Sequence, residues 1–112
     1  MLPINDLIGR PFEELKCWEL VVEIYARLGI KLKHYTCYWP NATLPWVEVK
    51  EPVEKSVLVF CLNGRDCNHV GVYLGNGKFI HSTEYAGVCV EELYRYRKRL
   101  RSILVYKGGW LK

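Results

Sequence analysis

The chain has 112 residues, half of them apolar and a quarter charged, a composition that fits one globular domain over residues 1–112 with a modest core. Its formal charge of +4 is too mild to argue for nucleic acid, and no apolar run approaches membrane-spanning length. The start Met1-Leu2-Pro3-Ile4-Asn5-Asp6 has no basic segment leading into an apolar one, so no signal peptide is recognised and cytoplasmic synthesis is expected. Five cysteines occur, at 17, 37, 61, 67 and 89, with no C-x-x-C pair among them. The odd number leaves at least one thiol outside any internal bridge. It argues against a full disulfide framework and for a reducing compartment.

Asn5 to Phe12 reads as a short turn or helix broken at Gly9 and Pro11. The following stretch, Leu15 to Gly29, organises the chain. Cys17, Leu20, Val21, Ile24, Tyr25 and Leu28 fall on one face of a 3.6-residue period, while Glu19, Glu23 and Arg27 fall on the other. Glu23 and Arg27 are spaced as an i,i+4 pair, and Gly29 supplies a stop. Cys17 sits in the first turn, where unpaired N–H groups, the helix dipole and the Lys16 cation all favour thiolate. The competing reading is a small apolar residue buried at a helix start.

Ile30 to Val49 changes character. Tyr35, Tyr38, Trp39 and Trp46 crowd a segment broken by Pro40 and Pro45, which reads as an irregular excursion pinned by aromatic packing. His34 reads as exposed, and Asn41-Ala42-Thr43 is a chance match to a glycosylation sequon. From Ser56 the period turns extended. Ser56–Leu62 is a continuous apolar run suited to a central strand, Asn63-Gly64-Arg65-Asp66 turns the chain, and Asn68–Leu74 makes a second strand. Gly75-Asn76-Gly77 is a hairpin signal that returns the chain through Lys78–Ser82, and Gly87–Val90 and Ser102–Tyr106 complete a meander. One helix on such a sheet is an α+β fold.

His69 and His81 flank that hairpin turn, so its length decides whether they cooperate. A two-residue loop at Asn76-Gly77 sets His81 opposite Val72, pointing away from His69. A three-residue loop ending at Gly77 sets His81 opposite Gly71 and makes the histidines diagonal neighbours, roughly 7–8 Å apart along the backbone. Gly71 between them then lets a helix end approach the sheet. In that register His69 serves as base for Cys17, and His81 orients His69 through its far nitrogen.

The segments Cys17-Trp18-Glu19-Leu20-Val21 and His69-Val70-Gly71-Val72-Tyr73-Leu74-Gly75-Asn76-Gly77-Lys78-Phe79-Ile80-His81, in that order, resemble the NlpC/P60 family of papain-like cysteine peptidases. The likeness runs from about Leu7 to Tyr106 and is nearest to the short, phage tail-associated members. It implies a nucleophile helix packed on a small antiparallel sheet or half-barrel. It also implies hydrolysis of amide bonds in cell-wall (peptidoglycan) peptides, especially those of γ-D-glutamyl and diamino acid residues. Carried over by position, Cys17 is the nucleophile, His69 the base and His81 the third, polar member. The Cys17 backbone N–H contributes to an oxyanion site, and Phe12, Trp18, Glu19 and Tyr73 border the substrate groove. No cofactor or metal is expected, and phage tail proteins are the implied partners, with the virion as a second location.

The sequence departs from the family pattern near the nucleophile. Lys16 replaces the usual acidic residue before the cysteine. Glu19 stands where a small residue is usual, Phe12 falls about where many members place a tyrosine, and Lys55-Ser56 replaces a Gly-Asp. Three other readings stand beside the enzyme: an inactive structural protein of a phage tail with the same fold, a Cys/His acyltransferase, and a zinc site. Cys61, Cys67, His69 and His81 would be the zinc ligands, although strand alternation turns Cys61 away from the rest. Tyr94 to Arg101 interleaves aromatic and cationic residues and reads as a solvated basic face, with an anionic cell-wall polymer or a tail protein as its next candidate contact.

Overall fold

The computed structural model describes residues 2–32, 46–62 and 69–107. His34, the aromatic residues and prolines between 35 and 45, the sequon, and the turn at 63–66 lie outside them.

The amphipathic stretch forms one helix, α1, over Cys17–Arg27. At its start the Glu19 carboxylate accepts the backbone N–H of Lys16 at 3.0 Å, which is half of a capping box. At its end the Ile30 N–H reaches Tyr25 O and the Gly29 N–H reaches Ala26 O, the double closure of a Schellman turn. Arg27 pairs with Glu23 at 2.9 Å as its spacing predicts, and also clamps Asp6 of the N-terminal 3₁₀ turn, Asn5–Leu7.

Six strands form one antiparallel sheet among the described residues: β1 Trp46–Val49, β2 Val57–Phe60, β3 His69–Gly75, β4 Lys78–Thr83, β5 Gly87–Glu92 and β6 Leu100–Tyr106. Their order, β1-β6-β2-β3-β4-β5, is not a pure meander. β6 crosses back to the free edge of β2, and β1 is added outside it. β1 was not expected, since Trp46 and Val49 read as the end of an irregular segment. Its side chains explain it: Trp46 is 5% exposed, with its ring against Tyr25 and Tyr106 at centroid distances of 5.8 and 5.1 Å.

Alternation divides the sheet into two apolar faces. Val57, Val59, Val70, Val72, Ile80, Val88 and Leu104 meet Leu20, Val21 and Ile24 of α1, each of which contributes about 1.5–3 kcal/mol by leaving water. Leu58, Phe60, Phe79 and Ile103 point the other way and are covered by Leu93 and Tyr96 of a second 3₁₀ helix, Leu93–Arg99. The basic segment is thus partly a lid, with Tyr94 exposed and Tyr96 turned inward.

The hairpin register pairs Gly71 with His81, Val72 with Ile80 and Tyr73 with Phe79. This is the pairing expected of a three-residue loop, but it is reached differently. Gly75 pairs with Lys78, so the loop is the two-residue Asn76-Gly77, with φ of 55° and 78°, and a bulge between Tyr73 and Gly75 shifts the register by one. Gly75 at φ 98° accommodates that bulge.

The space over Gly71 is taken by the sheet's own side chains and not by a helix end. A Cβ there would lie 2.9 Å from the Ile80 carbonyl oxygen, 3.0 Å from the Phe79 ring and 3.2 Å from His81 Cβ. Gly71→Ala is therefore expected to cost about 1–3 kcal/mol through overpacking against backbone and ring. Urea denaturation of the purified variant measures this, and an unchanged midpoint would contradict the close approach.

Candidate active site

Three adjacent strands bring the polar residues of the site onto one face. His69 opens β3, and Gly71 two residues later pairs with His81 of β4. His81 in turn pairs with Cys89 of β5, two residues before Glu91. Each step across the sheet moves two residues along it, so His69, His81 and Glu91 form a diagonal row. His69 Nε2 lies 2.8 Å from His81 Nδ1, and His81 Nε2 lies 2.7 Å from Glu91 Oε2. The same carboxylate oxygen accepts the Tyr96 hydroxyl at 2.9 Å and the Cys89 thiol at 3.7 Å.

Rings of Phe60, Phe79 and Tyr96 wall the row, and they leave His69 7% and His81 1% exposed. Burial with little water disfavours imidazolium. It pushes His69 down to about 4, helped by the neighbouring His81 and opposed by Glu91. His81 is also lowered by burial, against the hydrogen bond and charge of Glu91. For Glu91, burial acts upward but is outweighed by hydrogen bonds from His81 and Tyr96, so the carboxyl sits below its ordinary value. Burial and the bond to Glu91 push the Tyr96 hydroxyl up to about 12.

Cys17 arrives from the helix layer. Its sulfur takes backbone N–H groups from Val70, from Trp18 and from Cys17 itself, which sets it beside the His69–Val70 peptide. These donors favour thiolate, as the helix N-terminus predicts, but burial is the larger influence and Glu19 adds to it. The Cys17 thiol therefore sits above its ordinary value of 9.0, which reverses the expectation of an activated resting thiolate. Burial thus favours the neutral form of both Cys17 and His69.

A cavity of about 440 Å³ is lined by Cys17, His69 and His81, with Phe12, Ser82 and Tyr85 among its walls. Of the four residues expected at the substrate groove, Phe12 is there. Trp18 packs against the core on the helix side, and Glu19 caps α1. The Tyr73 hydroxyl accepts the Gly77 N–H at 2.8 Å, tying down the hairpin turn.

Glu91 and Tyr96 were not anticipated. The sequence pattern ends β5 at Val90 and places Tyr96 in a charged run, whereas the strand continues to Glu92 and Tyr96 lies on the following 3₁₀ helix. Alternation from Cys89 nevertheless places residue 91 on the face of His81.

The proposed zinc set does not assemble, because Cys61 is disulfide-bonded and a disulfide sulfur is no thiolate ligand. One bridge is compatible with the odd number of cysteines, which leaves at least one thiol outside any internal pair. Cys17 and Cys89 remain thiols. His81, Cys89 and Glu91 bring donor atoms within 4.8 Å of one another, but hydrogen bonds to the Glu91 carboxylate account for that cluster.

In the folded chain His69 binds its proton near pH 4, against 6.5 when exposed, so unfolded chains take up that proton first as pH falls. Stability present above pH 6.5 is lost towards pH 4, on the order of 3 kcal/mol. Urea midpoints measured across that window should fall with pH, and His69→Gln should flatten the slope. The Ser82 hydroxyl is buried with no hydrogen-bond partner among the described residues, so Ser82→Ala should raise stability by about 1 kcal/mol in the same assay.

A comparison with curated proteins returned no match. The model of the NlpC/P60 family matches residues 8–105, from the N-terminal turn through α1 and the histidine hairpin into the last strand. Over nearly its whole length, the chain belongs to the NlpC/P60 family.

Proposed function

We propose that the protein is a cysteine peptidase or amidase that cleaves amide bonds in peptidoglycan peptides, with Cys17, His69 and His81 as its catalytic set. Members of the family are typically cysteine hydrolases of the cell wall. The observation that carries the reading for this chain is the 2.8 Å contact between His69 and His81 at the wall of the cavity that Cys17 also lines.

In this mechanism the His69 ring has one nitrogen committed to His81, which leaves Nδ1 for the Cys17 proton. As Sγ attacks the substrate carbonyl carbon, the S–H proton passes to Nδ1 and the carbonyl oxygen becomes an oxyanion held by the Cys17 N–H. Collapse breaks the C–N bond, and imidazolium returns its proton to the leaving amine. Water then attacks the thioester with His69 again as base, releasing the acid and the thiol. Because Cys17 and His69 are both neutral at rest, proton transfer accompanies attack and does not precede it.

The setting we propose is a phage tail or prophage-derived machine, on the resemblance of the nucleophile and hairpin segments to short tail-associated members. Mass spectrometry of purified particles tests it: the protein should be found in virions, and confinement to the infected cell's soluble fraction would remove that part of the reading.

The chemistry is tested with muropeptides containing γ-D-glutamyl–diamino acid bonds. Wild-type protein should release new amines and show a thioester mass on Cys17 after acid quench. Cys17→Ala should be inactive, and His69→Ala should lose about 10²–10⁴ of the rate. Product bearing an added amine or alcohol in place of water would mark an acyltransferase. No turnover and no thioester, with particle assembly still dependent on the protein, would make it a structural component.

A further inference from the structure

We infer that Glu91, held by Tyr96, is a positioning residue that fixes which nitrogen of His69 is free to take a proton, making the site a four-residue row and not a triad. This inference rests on the catalytic reading above.

An ionised carboxylate can only accept hydrogen bonds, so the 2.7 Å contact with Glu91 requires a proton on His81 Nε2. A neutral imidazole carries one N–H, so His81 Nδ1 is then an acceptor. The 2.8 Å contact with that atom requires a proton on His69 Nε2. His69 is neutral as well, which leaves its Nδ1 with a lone pair, the state needed to take the Cys17 proton. The tautomer at the base is therefore set two hydrogen bonds away, on a different strand.

A third histidine-type partner cannot do this alone. A neutral ring can donate or accept through either nitrogen, so the His69–His81 contact would form equally well with both tautomers reversed, and that would block His69 Nδ1 with its own proton. Glu91 breaks the tie. Its side chain is 31% exposed, yet Oε2 is kept in place by the Tyr96 hydroxyl at 2.9 Å and the Cys89 thiol at 3.7 Å. Once His69 becomes imidazolium, its Nε2–H and the His81 Nε2–H both point towards that negative charge. The other groups facing the row are Cys17 from α1 and Glu84 and Tyr85 at the cavity wall, with Arg95 beside Tyr96.

The test compares wild type, Glu91→Gln and Glu92→Gln. Glu92 carries a neighbouring surface carboxylate paired with Lys78, so it controls for loss of charge alone. Nitrogen-15 NMR of labelled histidines reads the tautomers directly and needs no substrate. Wild type should show both His69 and His81 protonated on Nε2. In Glu91→Gln the amide can either accept from or donate to His81, so both rings should become tautomer mixtures. The same variant should lower kcat on muropeptides by about 10- to 100-fold, part of what a positioned base supplies, with KM little changed. Its acid limb should move to lower pH, because removing a carboxylate disfavours imidazolium. Glu92→Gln should match wild type in every readout.

A wild-type His69 protonated on Nδ1, or tautomers that persist in Glu91→Gln, would overturn the positioning role. A wild type with the expected tautomers but no thioester on Cys17 would instead sink the catalytic reading and leave the hydrogen-bond row in place, so the two failures are distinguishable.

Discussion

The site depends on a single-residue shift between two strands. Without the bulge between Tyr73 and Gly75, the Asn76-Gly77 turn would set His81 opposite Val72, and its ring would enter the apolar layer beneath α1. With the bulge, His81 shares a face with His69 and also with Cys89 and Glu91 of the next strand. Gly71 completes the arrangement by leaving out the one side chain that would collide with Phe79 and His81. Local turn chemistry, a backbone irregularity and a missing Cβ thus act together to make a row of three polar side chains possible in a sheet that is otherwise apolar on both faces.

Placing that row under Phe60, Phe79 and Tyr96 has an energetic consequence. Two imidazoles are held where water is scarce, and they are tolerable because they satisfy one another and the half-buried Glu91 carboxylate. The same burial decides their charge states. Desolvation outweighs the attraction of Glu91 for a protonated ring, and it outweighs the three N–H groups offered to the Cys17 sulfur. In the proposed mechanism the helix N-terminus serves less to ionise the resting thiol than to receive the charge that develops during reaction, when the same N–H groups lie near both sulfur and oxyanion.

Much of this was legible in the chain, for identifiable reasons. The helix could be read because its apolar spacing, its Glu23–Arg27 pair and its glycine stop are all local. The register of the histidine hairpin could be narrowed to two choices because turn length is local too, although the route to the correct one, a two-residue turn plus a bulge, could not. β1 was missed because a four-residue edge strand beside two prolines carries little pattern, and its stability comes from Tyr25 and Tyr106, far away in sequence. The ionisation of Cys17 was misjudged because dipole and neighbouring charge are visible in sequence whereas burial is a property of the fold. Glu91 and Tyr96 escaped for a related reason: each looks like an ordinary surface residue until β5 and the following 3₁₀ helix fold over His81.

The departures around the nucleophile gain a coherent sense from this charge arrangement. With Lys16 before the cysteine, α1 lacks the usual acceptor at its cap. Glu19 supplies the reciprocal bond to the Lys16 N–H and leaves the N–H groups of Cys17 and Trp18 to the sulfur. A carboxylate so near opposes ionisation of Cys17, while Glu91 at the far end of the row supports a cation on the histidines. One acid thus raises the cost of a bare thiolate and the other lowers the cost of an imidazolium. In the proposed mechanism the proton stays on sulfur until a carbonyl is present to take the developing negative charge, and it then passes to His69. On that reading the site keeps its thiol protonated, and so less open to adventitious alkylation and oxidation, while retaining a base oriented for catalysis. Glu19 thus ties down the chain entering α1 by a bond of a different kind from the one an acidic residue at position 16 would make, since it accepts the Lys16 N–H and not an N–H of the first helical turn.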